Sequence, residues 1–180
     1  MLIDRAQSLL LIVDVQEKLA PAIHEGAAAI ANNRRLLAAA GHLGIPVIVS
    51  EQYVRGLGPT VAELLPLPAA AQRIEKTHFS CTREPGFLDR LAQLERRQIV
   101  VTGMETHVCV LQTALGLLDA GYTVFLVEDA ASSRTPESRA AAVARLRAAG
   151  ATIVTTEMVL FEWLECSATD EFRALLPLIK

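Results

Sequence analysis

Aromatic residues are scarce in this chain: one Trp, two Tyr and five Phe make up 4% of its 180 residues. A core with few rings must close-pack small aliphatic side chains, which suits helices laid on a sheet. An excess of positive charge is also missing. Seventeen Lys and Arg against twenty Asp and Glu leave a net charge of −3, with no basic block. That excludes the electrostatic footprint of a nucleic-acid or anionic-membrane binder. No apolar run approaches the ~18 residues that would suggest a membrane span. The N-terminus carries Asp4 and Arg5, then an apolar run cut short at Asp14, which is not signal-peptide architecture. Cysteine is limited to Cys81, Cys109 and Cys166, odd in number, widely spaced and without a C-x-x-C. These features describe a reduced, cytoplasmic protein with no disulfide framework.

What is present is a regular alternation. Leu9–Val15 is apolar on both faces, as in a buried parallel strand. An Ala/Leu-rich helix over Ala22–Leu43 follows. Further strands are expected at Pro46–Ser50, Arg73–Lys76, Ile99–Thr102, Val124–Glu128 and Thr152–Thr155. Helices are expected at Gly86–Glu95, Val108–Leu118, Ser138–Ala149, Met158–Leu164 and Thr169–Leu176. Strand and helix alternate six times without repeats or linkers. Residues 1–180 therefore read as a single α/β domain, a three-layer α/β/α sandwich on a parallel sheet.

In such sheets ligands bind beyond the C-terminal ends of the strands. Three reactive residue types fall there: Asp14 after the first strand, Lys76 ending the third, and Cys109 after the fourth. The stretch Gln98–Leu118 reads as strand, tight turn and helix, and sets Cys109 in the first helical turn. Unpaired N–H groups and the helix dipole at that position favour a thiolate, and they can also hold an oxyanion. Asp14 is suited to carry the thiol proton. Lys76 is suited to stabilise the thiolate and to hold the carboxylate. The pocket wall has candidates in Gln16, Tyr53, Phe79 and His107. If helical, His107 and Cys109 point roughly 200° apart, so His107 is a poor base for this thiol.

DVQ at Asp14–Gln16, EKTHFSC at Glu75–Cys81 and TGMETHVCV at Thr102–Val110 resemble the three signature blocks of the isochorismatase-like cysteine hydrolase superfamily. SEQYVRGLGPTVAEL at Ser50–Leu64 is similar to a metal-independent branch of it. The resemblance implies a Rossmann-like six-stranded sheet of order 3-2-1-4-5-6. It also implies an Asp-Lys-Cys triad of Asp14, Lys76 and Cys109, and a cis peptide between Met104 and Glu105. The backbone N–H groups of Glu105 and Cys109 would then form the oxyanion hole. Metal-dependent nicotinamidases of the superfamily carry a D-x-H motif and a further His after the second strand. This chain has Gln52, Tyr53, Val54 and Arg55 there, and no His between His42 and His78. No metal and no cofactor are therefore expected.

The expected function is cysteine-dependent hydrolysis of a small amide-type C–N bond through a thioester. Two other readings stay open: a non-catalytic small-molecule-binding module, and a thiol redox sensor with Cys81 as the resolving thiol. The expected partners are a small-molecule substrate and further copies of the chain. The second expectation comes from the dense apolar run Val159, Leu160, Phe161, Trp163 and Leu164, together with the family's tendency to assemble.

Overall fold

The apolar runs become strands β1 (Ser8–Val13), β2 (Val47–Gln52), β3 (Gln72–Lys76), β4 (Gln98–Met104), β5 (Thr123–Ser132) and β6 (Thr152–Val154) in the computed structural model, which describes residues 1–179. They pair in parallel in the order β3-β2-β1-β4-β5-β6, as the family resemblance implied. The helices are α1 (Gly26–Leu43), α2 (Val54–Leu57), α3 (Phe87–Gln93), α4 (Leu111–Asp119), α5 (Pro136–Ala148), α6 (Thr156–Leu164) and α7 (Asp170–Ile179).

Alternation along the strands divides the core in two. Leu10 and Ile12 of β1 pack in one apolar layer with Leu36 and Leu37 of α1 and Val159 and Trp163 of α6. Leu9 and Leu11 join the other layer with Leu91 of α3, Leu117 of α4 and Leu146 of α5. Both faces of β1 are thus covered, which is why its sequence is a continuous apolar run.

Three elements differ from the sequence reading. α1 starts at Gly26, because Ala20–Ala22 around Pro21 form a separate 3-10 turn. β5 runs on to Ser132 rather than ending at Glu128. After a register shift it pairs with the end of β4, Gly103 with Ala131 and Met104 with Ser132. The apolar run of α6 is mostly consumed within the chain. Val159, Leu160, Trp163 and Leu164 are buried, the Trp163 indole donates to Ser8 Oγ at 3.0 Å, and Met158 and Phe161 remain exposed.

Gly103 sets the spacing at the centre of the sheet. Its φ is +111°, and a Cβ there would stand 2.0 Å from the Val13 carbonyl oxygen and 2.6 Å from the Val13 nitrogen. Only glycine lets β1 and β4 meet this closely, one residue before Asp14. Gly103→Ala should destabilise the chain by on the order of 3 kcal/mol, through backbone strain and overpacking together. Equilibrium urea denaturation measures this. A loss below ~1 kcal/mol would mean that the strands separate at little cost.

Candidate active site

The C-terminal edge of the sheet brings the three sequence-selected side chains together. Asp14 leaves β1 with a φ of +51°, a left-handed residue that ends the strand's alternation. Lys76 is the last residue of β3. Cys109 lies in a π-helical turn, Thr106–Val110, that leads directly into α4. Asp14, Lys76 and Cys109 are 0%, 2% and 7% exposed, so only the thiol has an outlet.

Lys76 Nζ donates to Asp14 Oδ2 at 2.7 Å and to Gln52 Oε1 at 2.6 Å. The carbonyls of His78 and Phe79 lie 3.2 and 3.1 Å from the same nitrogen. An ammonium has three protons, so these four acceptors exhaust it. Lys76 is therefore a fixed charge with no donor left for a ligand. The other carboxylate oxygen, Asp14 Oδ1, accepts the Ser50 hydroxyl at 2.7 Å.

The sequence suggested a thiolate favoured by the helix terminus and by Lys76. The electrostatics run the other way. Burial pushes the Cys109 thiol well above its ordinary pKa, the Asp14 charge pushes it further, and Lys76 offsets them only in part. The resting group is a neutral thiol facing a carboxylate. Cys81, the candidate resolving thiol, is fully buried in the turn after β3, where burial also raises its thiol. Its backbone N–H donates to Thr113 Oγ1 at 3.0 Å. The close fit of this segment on α4 depends on Gly116, where a Cβ would meet Thr82 Oγ1 at 2.1 Å.

The Met104–Glu105 peptide is cis. The Glu105 carbonyl accepts the N–H groups of Val108 and Val110, and its side chain turns to Arg134 at 2.9 Å. His107 is half-buried and directs Nδ1 to Ser133 Oγ at 2.9 Å, away from a role as base. His78, the other histidine near the site, pairs with Glu84 at 3.0 Å.

The remaining candidates divide. Gln16 is fully buried, with both amide protons spent on the carbonyls of Gln52 and Gly58 and its oxygen on the Gln52 N–H. It ties the loop after β2 instead of facing a ligand. Glu51 adds a second tie by accepting both the N–H and the hydroxyl of Thr60. Tyr53 and Phe79 are 58% and 54% exposed on the loops that follow β2 and β3. Among the described residues, no cluster of three or more His, Cys, Asp or Glu is arranged to hold a metal ion. Sequence reasoning missed Ser50 and Gln52. Their signals were their place in a strand that ends at the ligand-binding edge and the block SEQYVRGLGPTVAEL that opens at Ser50, neither of which gave them a role.

The chain is similar to known proteins over most of its length. Residues 8–158 match the isochorismatase domain. Isochorismatase domain-containing protein 1 of Danio rerio is 41% identical over 176 residues, which cover 97% of this chain and 62% of that protein. The chain thus spans less than two thirds of that relative. A solved structure described as MAR1 ribonuclease from Caenorhabditis elegans superposes with a TM-score of 0.94 at 37% identity, covering 99% of this chain and 92% of that one. The YcaC gene product of Escherichia coli, described as an octameric hydrolase of unknown specificity, gives a TM-score of 0.93 at 25% identity, covering 99% and 90%. A domain match over most of the chain, in a sheet of the order that its motifs implied, makes this protein a member of the isochorismatase family with that family's hydrolase fold.

Proposed function

We propose that residues 1–180 form one hydrolase domain that cleaves a small amide-type C–N bond, with Cys109 as nucleophile, Asp14 as proton carrier and Lys76 as the fixed countercharge. The observation that carries this reading is a buried thiol beside a carboxylate whose Oδ2 is bonded to the Lys76 ammonium at 2.7 Å. The thiol sulfur attacks the carbonyl carbon as its proton passes to Asp14. The backbone N–H groups of Glu105 and Cys109 receive the oxyanion. Asp14 returns the proton to the leaving nitrogen, the C–N bond breaks, and ammonia or an amine departs. Water, deprotonated by Asp14, then attacks the thioester. The C–S bond breaks and the proton returns to sulfur. Lys76 never transfers a proton in this scheme. It holds Asp14 oriented at the start of each cycle.

Burial of all three groups favours a small acyl portion, with Tyr53, Phe79 and His107 at the mouth. The Caenorhabditis elegans neighbour is described as a ribonuclease, but the −3 charge and the closed site favour a small neutral substrate over a polyanion. Three free thiols fit a reducing compartment such as the cytoplasm. Exposed Met158 and Phe161, and the octameric state described for the Escherichia coli neighbour, support a homo-oligomer.

A panel of small primary amides and an RNA oligonucleotide, with ammonia and phosphodiester cleavage as readouts, tests the reading. Ammonia release is expected, falling by about 10³-fold in Asp14→Asn. The same substitution removes the charge that opposes ionisation of Cys109. Iodoacetamide should then label Cys109 at least about tenfold faster at pH 8 than in the wild type. Wild-type labelling should climb about tenfold per pH unit from pH 7 to 9 without levelling, because a raised thiol pKa keeps the thiolate a minor species. A plateau near pH 7, or slower labelling of Asp14→Asn, would remove the neutral-thiol mechanism. Cleavage of RNA without ammonia release would replace it with a nuclease.

Light scattering at micromolar concentration should give a mass that is a multiple of the monomer. A monomeric mass would leave Met158 and Phe161 as ordinary exposed side chains.

A further inference from the structure

Ser50 is the one hydroxyl aimed at the Asp14 carboxylate that neither the motifs nor the family match singles out. It lies in β2 opposite Val13 and is fully buried. Its backbone carbonyl accepts the Asp14 N–H at 3.1 Å, and its hydroxyl donates to Asp14 Oδ1 at 2.7 Å. Ser50 therefore holds the residue after β1 at both its backbone and its side chain. The rest of the surroundings leaves Oδ1 little choice of partner. Lys76 occupies Oδ2, and Gln52 accepts from Lys76 without reaching the carboxylate.

The two carboxylate oxygens are thus held by chemically different groups. The ammonium on Oδ2 can only donate, so it favours a bare oxygen there. A hydroxyl has one proton and two lone pairs, and it can donate or accept by rotation. If Asp14 gains a proton, Oδ1 is the oxygen that can carry it without losing its partner. We propose that Ser50 is a positioning residue that directs the thiol proton to Asp14 Oδ1, donating to the carboxylate and rotating to accept from the carboxylic acid. This deepens the hydrolase reading and rests on it for its catalytic meaning, while the hydrogen bond itself does not.

The neighbouring groups fit such a role. Burial raises the Cys81 thiol, which interacts with the Ser50 hydroxyl as an uncharged group and so adds no charge to it. Glu51, the next residue, turns to the opposite face of β2 and is occupied with Thr60. The charged groups bonded to one another at this point are Asp14 and Lys76, while Glu51 pairs with Arg73 at 3.6 Å.

Ser50→Ala deletes one oxygen and leaves the strand its shape; the unpaired Oδ1 should lower the urea midpoint while the native baseline is kept. Lys76 still holds Asp14 in place, but Oδ1 loses its donor and presents a more concentrated charge to the thiol. Alkylation of Cys109 by iodoacetamide should slow by roughly five- to tenfold at every pH from 7 to 10. With an amide substrate, kcat should fall about tenfold with KM unchanged. Ser50→Thr, which keeps the hydroxyl, should recover alkylation to within about threefold of the wild type. Alkylation of Ser50→Ala at the wild-type rate across this range overturns the proposal. So does a folded Ser50→Thr that behaves like the alanine variant. The alkylation series needs no turnover. If no amide is hydrolysed but Ser50→Ala still slows alkylation, the hydrolase reading fails and the positioning role stands. If amides are hydrolysed and Ser50→Ala changes neither readout, the positioning role fails alone.

Discussion

A fully buried ion pair, Lys76 with Asp14, is the constraint on which the C-terminal edge of this protein depends. Removing two charges from water costs several kcal/mol per ion, and mutual attraction repays it only if the remaining protons and lone pairs are also satisfied. The chain meets that condition with groups from separate elements. β2 supplies Ser50 and Gln52, and the turn after β3 supplies two carbonyls. The pair is thus the reason that the segments after β2 and β3 take their course. A wrong path for either would leave a buried charge without a partner. The same pair sets the chemistry. Burial and the Asp14 charge together raise the Cys109 thiol, with Lys76 offsetting them in part, so in the proposed hydrolysis the proton moves during attack rather than before it.

The fold was legible because both of its signals are local. Continuous apolar runs such as Leu9–Val13 mark buried parallel strands, and the breaks at Gly44 and Gly150 end helices. The convergence of Asp14, Lys76 and Cys109 was legible because strand ends in a parallel sheet share one edge. The sign of the Cys109 shift was not. It depends on how deeply the thiol is buried and on how completely Lys76 is taken up by other acceptors, and no spacing rule contains either. Ser50 was hidden for a related reason. In PVIVS it is a small residue in an ordinary strand, and the carboxylate that gives it meaning lies 36 residues earlier. Gln16 failed in the opposite direction. A polar residue beside a site motif suggests a ligand contact, but every donor it has belongs to the loop it ties.

α6 makes the same point for surfaces. Its composition is that of an interface helix, yet most of its apolar residues cover the sheet, and only Met158 and Phe161 face outwards. Counting apolar residues along a helix overstates what is free to meet a partner when the same residues must also pack on β5, α1 and α7.

The loop after β2 carries one further consequence. Gln16, Glu51 and Thr60 anchor it through backbone groups of Gln52, Gly58 and Thr60, and through side chains that lie at its two ends. None of these anchors uses the side chains of Tyr53, Val54, Arg55 or Leu57. The loop is therefore a socket whose position is insulated from its contents. Residues at its tip can be exchanged without moving Asp14 or Lys76. Under the proposed hydrolase reading, a library confined to positions 53, 54, 55 and 57 would explore substrate preference without disturbing Asp14 or Lys76.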